Sequence, residues 1–158
     1  MGSVATVIEA LERAPHIVVP LVREMRDEWL KRRPHPDRWS VHEHACHLAA
    51  VHPLFQSRLE QFVSEERPVI KPYDPAVGND PDDVLIDMDL DEALDRFGRD
   101  RAELVVQLRG LDDAMWSRSA DHGEYDHYDM FIMFRHLALH DLFHGYRIEE
   151  LVLRKDWS

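Results

Sequence analysis

Nine of the eleven histidines in this 158-residue chain fall into three groups, at 42, 44, 47 and 52, at 122 and 127, and at 136, 140 and 144. His140 and His144 are one helical turn apart, so on a helix both imidazoles leave the same face and can reach one ion. Projected at about 100° per residue from Leu137, both lie within about 60° of an apolar stripe running from Leu137 to Ile148, which points them inward. A buried imidazole needs partners for its polar nitrogens, and a shared metal ion satisfies two rings at once. The competing account is two core histidines, each bonded to a carbonyl or a water. One helix face cannot close a coordination sphere, so a third ligand has to come from another segment. His44 and His47 both qualify: projection places His44 nearer the apolar stripe of its own segment and His47 at the edge. Cys46 points to the opposite side, as an inert thiol rather than a ligand or nucleophile.

Other groups with chemical potential have plainer readings beside the functional one. Glu43 precedes His47 by one turn and could orient it or shuttle a proton, but it also stands three residues after Ser40, the spacing of a capping box. Arg147 lies one turn beyond His144; it could grip a carboxylate bidentately, against the ordinary role of a solvated or salt-bridged side chain. Asp141 reads as a buried partner for a neighbouring helix, and His136 as an edge or surface residue. His122, Glu124, His127 and Asp129 are ligand types in a polar loop, read as solvated. The run Asp80-Pro81-Asp82-Asp83 lacks the spacing of a calcium loop. Trp39 and Trp116 read as packing anchors.

The elements that must position these groups are helical. Residues 4 to about 32 carry helical periodicity through Val4, Val7, Ile8 and Leu11, and Pro15 and Pro20 predict a kink or two short helices. Arg33 to Arg38 form a turn by composition. A second helix starts at Ser40, with Val41, Ala45, Leu48, His52, Phe55, Leu59 and Phe62 on one stripe and a bend expected at Pro53. Residues 66 to 88, with four prolines and the Gly78-Asn79-Asp80 turn signal, exclude a regular element through most of their length and suit a long crossover. A third helix spans about 89 to 109, with Gly110 as its C-cap. After a short turn at Asp112 to Trp116, a fourth runs from about 129 to 153. Four amphipathic helices without a convincing strand predict an all-α four-helix bundle, one domain over residues 1–158.

Composition narrows the function. A formal charge of −12 with no Lys/Arg-rich block argues against nucleic-acid binding. No apolar run is long enough to span a bilayer, and no secretory signal is legible at the start of the chain. A single cysteine excludes an internal disulfide framework and suits a cytoplasmic protein.

Two segments resemble a known family. Trp39-Ser40-Val41-His42-Glu43-His44-Ala45-Cys46-His47-Leu48 is similar to the W-S-x-x-E-x-x-x-H-L opening of the second helix in the DinB-like superfamily, which includes the YfiT-type metal-dependent hydrolases. His140-Asp141-Leu142-Phe143-His144-Gly145-Tyr146-Arg147-Ile148 resembles that family's H-D-x-x-H-x-x-Q-I motif, and Tyr125 to Asp129 its polar lead-in. The resemblance implies a down-up-up-down bundle with a long crossover, one divalent metal ion such as nickel or zinc, and a homodimer. Carried over by position, the metal ligands are His47, His140 and His144. His44 then stands where the family has an apolar residue, as a neighbour that hydrogen-bonds or lines the pocket, and Arg147 stands where the family commonly has glutamine.

Three neutral imidazoles leave coordination positions open, and an open position separates a catalytic metal site from a closed structural one. The expected function is therefore a metal-dependent enzyme acting on a small molecule, by hydrolysis or by transfer of a low-molecular-weight thiol, with Glu43 and Arg147 as the candidate catalytic residues. The alternative is a non-catalytic, metal-stabilised bundle serving as a binding or stress-response module. A fourth protein ligand would favour that alternative, and a polar-lined pocket beside the site would favour the enzyme.

Overall fold

Side-chain caps set where three of the long helices begin. In a computed structural model describing residues 3–72 and 82–157, Ser40, Asp89 and Asp129 each accept a hydrogen bond from the backbone N–H three residues on, opening α2 (Val41–Ala50), α5 (Leu90–Arg109) and α7 (Met130–Val152). At Ser40 the capping box is complete: Glu43 N–H donates to Ser40 Oγ at 3.2 Å and Ser40 N–H donates to Glu43 Oε2 at 2.9 Å. The remaining helices are α1 (Val4–Arg23), α3 (His52–Ser64), a short α4 (Asp82–Asp87) and a single-turn α6 (Asp113–Trp116).

The bundle consists of α1, the α2–α3 pair, α5 and α7. Ion pairs from Glu12 to Arg109 and from Arg23 to Asp91 run α1 antiparallel to α5. Contacts of His44 with His144 and of His47 with His140 run α2 antiparallel to α7. The His42 ring sits against Leu85, just ahead of α5, and Gln56 bonds Gln107 near its end, so α2–α3 and α5 run parallel. Parallel neighbours cannot be joined by a tight turn, which is why the chain needs the long connection between Ser64 and Leu90. The Gly78-Asn79-Asp80 turn and the Asp80-Pro81 part of the acidic run lie outside the described residues. Two short strands, β1 (Val69–Ile70) and β2 (Asp121–His122), pair in parallel and pin the start of the crossover to the loop ahead of α7. Such two-residue strands are too short for any alternating pattern to announce them.

The prolines behave differently from expectation. Pro15 and Pro20 lie inside one continuous α1 rather than dividing it. A helical Pro15 cannot donate to the carbonyl of Leu11, four residues back. Arg101 from α5 supplies that bond instead, its Nη1 donating to Leu11 O at 3.1 Å. Pro53, by contrast, does more than bend the second helix: the chain breaks at Val51 and restarts as α3 with proline in the first turn, where a missing N–H leaves nothing unsatisfied.

Arg101 does more than mend α1. The same guanidinium donates to both carboxylate oxygens of Asp141 on α7, with Nη2 to Oδ1 at 3.2 Å and Nη1 to Oδ2 closer still. Both side chains are buried, 3% and 1% exposed, so neither charge has water to fall back on. Burial works against the Asp141 carboxylate and the guanidinium beside it works for it. The pair sits at the waist of the bundle. One apolar cluster, including Leu11, Leu104, Phe134 and Leu137, lies to one side, and another, including Val18, Leu48, Phe97 and Ile148, to the other. Arg101→Met leaves Asp141 and the Leu11 carbonyl buried without partners. It is expected to lower the unfolding free energy by roughly 3–5 kcal/mol in urea denaturation. The double variant Arg101→Met/Asp141→Leu, with no buried charge left over, should recover part of that loss; equal losses in both would show that the unpaired charge is not the cause.

Candidate metal centre

Four imidazoles meet where α2 and α7 face each other. Antiparallel packing brings the i, i+3 pair His44 and His47 opposite the i, i+4 pair His140 and His144, on turns where both helices turn the same side to the interface. One ring nitrogen each from His47, His140 and His144 lies within 4.8 Å of the others, and His47 Nε2 stands 2.9 Å from His140 Nε2. His44 falls outside this mutually adjacent set but touches it, its Nδ1 2.8 Å from His144 Nδ1. The structure thus brings together the three histidines selected by position in the motif, and places His44 one step out, lining the neighbouring cavity.

Burial makes the rings of His44, His140 and His144 neutral. It is the largest influence on each: with the neighbouring imidazoles adding to it, burial lowers His140 to about 3 and His144 to about 2, and with His47 and Arg147 adding to it, lowers His44 to about 4. Near neutral pH such rings carry lone pairs instead of charge, the state in which imidazole can ligate a metal. Three imidazole nitrogens around one zinc-sized ion at about 2.0–2.1 Å would stand roughly 3.0–3.4 Å apart, so the observed cluster needs only side-chain adjustment to hold one. His140 Nδ1 is buried with no hydrogen-bond partner among the described residues, so the polar demand of that ring falls on the nitrogen facing the cluster. Imidazole donors of this number suit zinc, nickel, copper or iron.

The wall of the site is a residue with two roles. Trp39, the packing anchor expected, is half-buried against an apolar cluster and also packs on three of the rings. It stacks on His144 with centroids 5.7 Å apart and 18° between planes, and lies 4.8 Å from His47 and 5.4 Å from His44. Its position directly before the Ser40 cap was the available signal: the capping box fixes where the chain enters α2 and so where this indole lies. Trp116 is the buried anchor expected, edge-on to Phe134.

Beyond Trp39 and His144 opens a cavity of about 720 Å³ that reaches solvent, lined in part by Arg38, His44, Phe143, Arg147 and Arg154. Arg147 stacks its guanidinium over Phe143, 5.3 Å from the ring centroid, and is paired with Glu150 at 2.8 Å. Glu43 is fully buried and committed elsewhere: Arg33 Nε lies 3.1 and 3.0 Å from its two oxygens, and Ser40 N–H takes one of them again. Burial would raise this carboxyl, but the hydrogen bonds from Arg33 and Ser40 outweigh it and hold it below the ordinary range. The remaining candidates lie apart from the cluster. His136 is exposed beside Tyr125; His122 packs among Tyr125 and Tyr128 and accepts from Glu124 N–H; Asp129 is a helix cap; Asp141 is the partner of Arg101. Outside the cluster, His42 Nε2 donates to Leu85 O at 3.1 Å, tying α2 to α4.

A four-helix bundle with a parallel middle pair, joined by a crossover and carrying a tri-histidine cluster between its second and last long helices, defines a recognisable class. YfiT from Bacillus subtilis, described as a "probable metal-dependent hydrolase with an unusual four-helix bundle topology", matches with a TM-score of 0.84 and 25% identity over 98% of this chain and 89% of that one. A proposed metal-dependent hydrolase of Oceanobacillus iheyensis is 29% identical over 154 residues, 95% of this chain and 86% of its own length. Residues 10–148 match the model of the DinB superfamily, and the chain belongs to that superfamily.

Cys46 is fully buried on the side of α2 away from the cluster, among Val22, Leu48 and Phe97, and burial pushes its thiol up to about 12. The native protein is therefore expected to stay unmodified by a disulfide reagent such as Ellman's at pH 8, and to release one equivalent of chromophore only after denaturation. Rapid modification of the folded protein would show Cys46 to be accessible.

Proposed function

We propose that this protein is a metal-dependent enzyme that holds one divalent ion, nickel or zinc, on His47, His140 and His144 and hydrolyses a small molecule bound in the adjoining cavity. The observation that carries this reading is the convergence of three imidazoles, two buried and that of His140 partly so, beside a solvent-connected cavity, with no fourth histidine, cysteine or carboxylate joining their cluster among the described residues. An ion on three protein ligands keeps a position open, whereas a structural site is closed by a fourth. The two relatives, both described as metal-dependent hydrolases, support the same reading.

When bound, the ion supplies Lewis acidity and brings the pKa of coordinated water towards neutrality. The chain's own residues do the rest. Trp39 covers the imidazoles and limits solvent on that side, Phe143 offers an apolar wall, and Arg38 and Arg147 at the cavity present guanidiniums to a carboxylate or phosphate on the substrate. Glu43, held by Arg33 and Ser40, fixes the start of α2 and so the placement of His47. Transfer of a low-molecular-weight thiol is the other reaction proposed for this site, with a thiol in place of water as the nucleophile.

We further propose that the chain is a homodimer. On the outer face of α7, Leu139, Leu142, Phe143 and Tyr146 are each more than half exposed at helical spacing, a stripe characteristic of a covered helix face. Laid antiparallel on a second copy about a two-fold axis between Leu142 and Phe143, Leu139 of each chain meets Tyr146 of the other, so the apolar stripe covers itself. Leu142→Asp is expected to halve the mass measured by light scattering; an unchanged mass would move the interface elsewhere.

The central experiment is metal analysis of purified protein after reloading with nickel or zinc. The expected result is close to one equivalent in the wild type, and loss of at least nine-tenths of it in His47→Ala, His140→Ala and His144→Ala, with helical content retained. Wild-type metal content in any of the three would remove that residue from the centre. Chelator treatment should abolish hydrolysis of a model ester or amide panel, and readdition of the metal should restore it.

A further inference from the structure

His44 borders the cluster without belonging to it, and its contact with His144 has a direction that chemistry can assign. The two Nδ1 atoms are 2.8 Å apart, close enough that one must carry a proton and the other a lone pair. A neutral imidazole has one nitrogen of each kind, so the direction of this hydrogen bond fixes the tautomer of both rings. If His44 donated, His144 would carry its own proton on Nε2 and have no lone pair left for an ion. If His144 donates, its Nε2 is bare and His44 carries its proton on Nε2. Only the second arrangement lets His144 act as a ligand while the observed contact persists.

We infer that His44 is a positioning residue for the proposed metal centre. It accepts Nδ1–H of His144, leaves Nε2 of that ring available to the cluster, and carries its own N–H on Nε2. The inference rests on the metal-binding reading given above. Trp39 reinforces the arrangement by packing on both rings at once, nearly parallel to His144 and edge-on to His44, so neither ring turns without displacing the indole. Because His44 also lines the cavity, its Nε2–H is a fixed donor for a ligand bearing a carbonyl, carboxylate or phosphoryl oxygen. The tautomer that makes His144 a ligand is thus the one that makes His44 a donor.

The test uses zinc-loaded, uniformly ¹⁵N-labelled full-length protein and long-range ¹H–¹⁵N correlation of the imidazoles. Expected are His144 protonated at Nδ1 and metal-bound at Nε2, and His44 protonated at Nε2. His144 ligated through Nδ1, or His44 protonated at Nδ1, would overturn the inference. Zinc affinity against a competing chelator gives a second readout. His44→Leu is expected to weaken binding about 10–100-fold, and His44→Gln, whose amide oxygen can accept the same N–H, to regain part of it. Wild-type affinity in His44→Leu would reject the positioning role while leaving the centre intact. Failure of the wild type to bind zinc would remove both.

Discussion

The guanidinium of Arg101 solves two problems at once, and three helices depend on it. Pro15 leaves a carbonyl of α1 without its helical partner, and Asp141 places a carboxylate inside α7; one side chain from α5 answers both. The donors of a planar guanidinium are fixed in a fork, so meeting both acceptors fixes the distance and rotation of α1 and α7 together. An apolar substitution for the whole set could match its stability but would not reproduce the directional contacts by which one side chain meets both helices. That makes the waist of the bundle a point of alignment between two apolar halves.

Alignment of α7 matters because the next residue along it is His140. Asp141 and His140 leave the helix on different sides, so whatever fixes Asp141 against α5 also fixes the rotation that presents His140, and one turn later His144, to α2. On the other side of the interface the capping box at Ser40 and Glu43, reinforced by Arg33, fixes where α2 begins. The cluster therefore sits between two helices each pinned by a buried carboxylate, as close placement of three rings demands.

Packing supplies electrostatics as well as position. The chain carries a large negative charge overall, yet aromatic and cationic groups stand with the carboxylates along the cavity beside the imidazoles, and the carboxylate of Glu43 is occupied by Arg33. Burial and the mutual proximity of the rings keep His140 and His144 uncharged, which leaves each ring a lone pair with which to meet a cation. The break at Val51 contributes too: by ending α2 shortly after His47, it lets α3 continue towards α5 independently of the interface with α7.

Much of this was legible beforehand, for identifiable reasons. Helical periodicity marked the four long elements, the capping box marked Ser40, and the i, i+4 spacing of His140 and His144 on an inward stripe marked half of the site, because each of these is a local property of one helix. Periodicity alone favoured His44 over His47 and did not see Trp39 as a wall, because which ring of an i, i+3 pair joins a cluster depends on how a second helix is placed, and that information is not in the segment itself. Pro15 was expected to interrupt α1, since nothing nearby in sequence reveals that a residue ninety positions away will satisfy Leu11. The sequence by itself determined the helices, their inward faces and the chemical nature of the side chains in the cluster. Only the tertiary structure decided which imidazoles meet, because a meeting point is set by the rotation and register of two helices, and those are fixed by buried pairs between elements far apart in the chain.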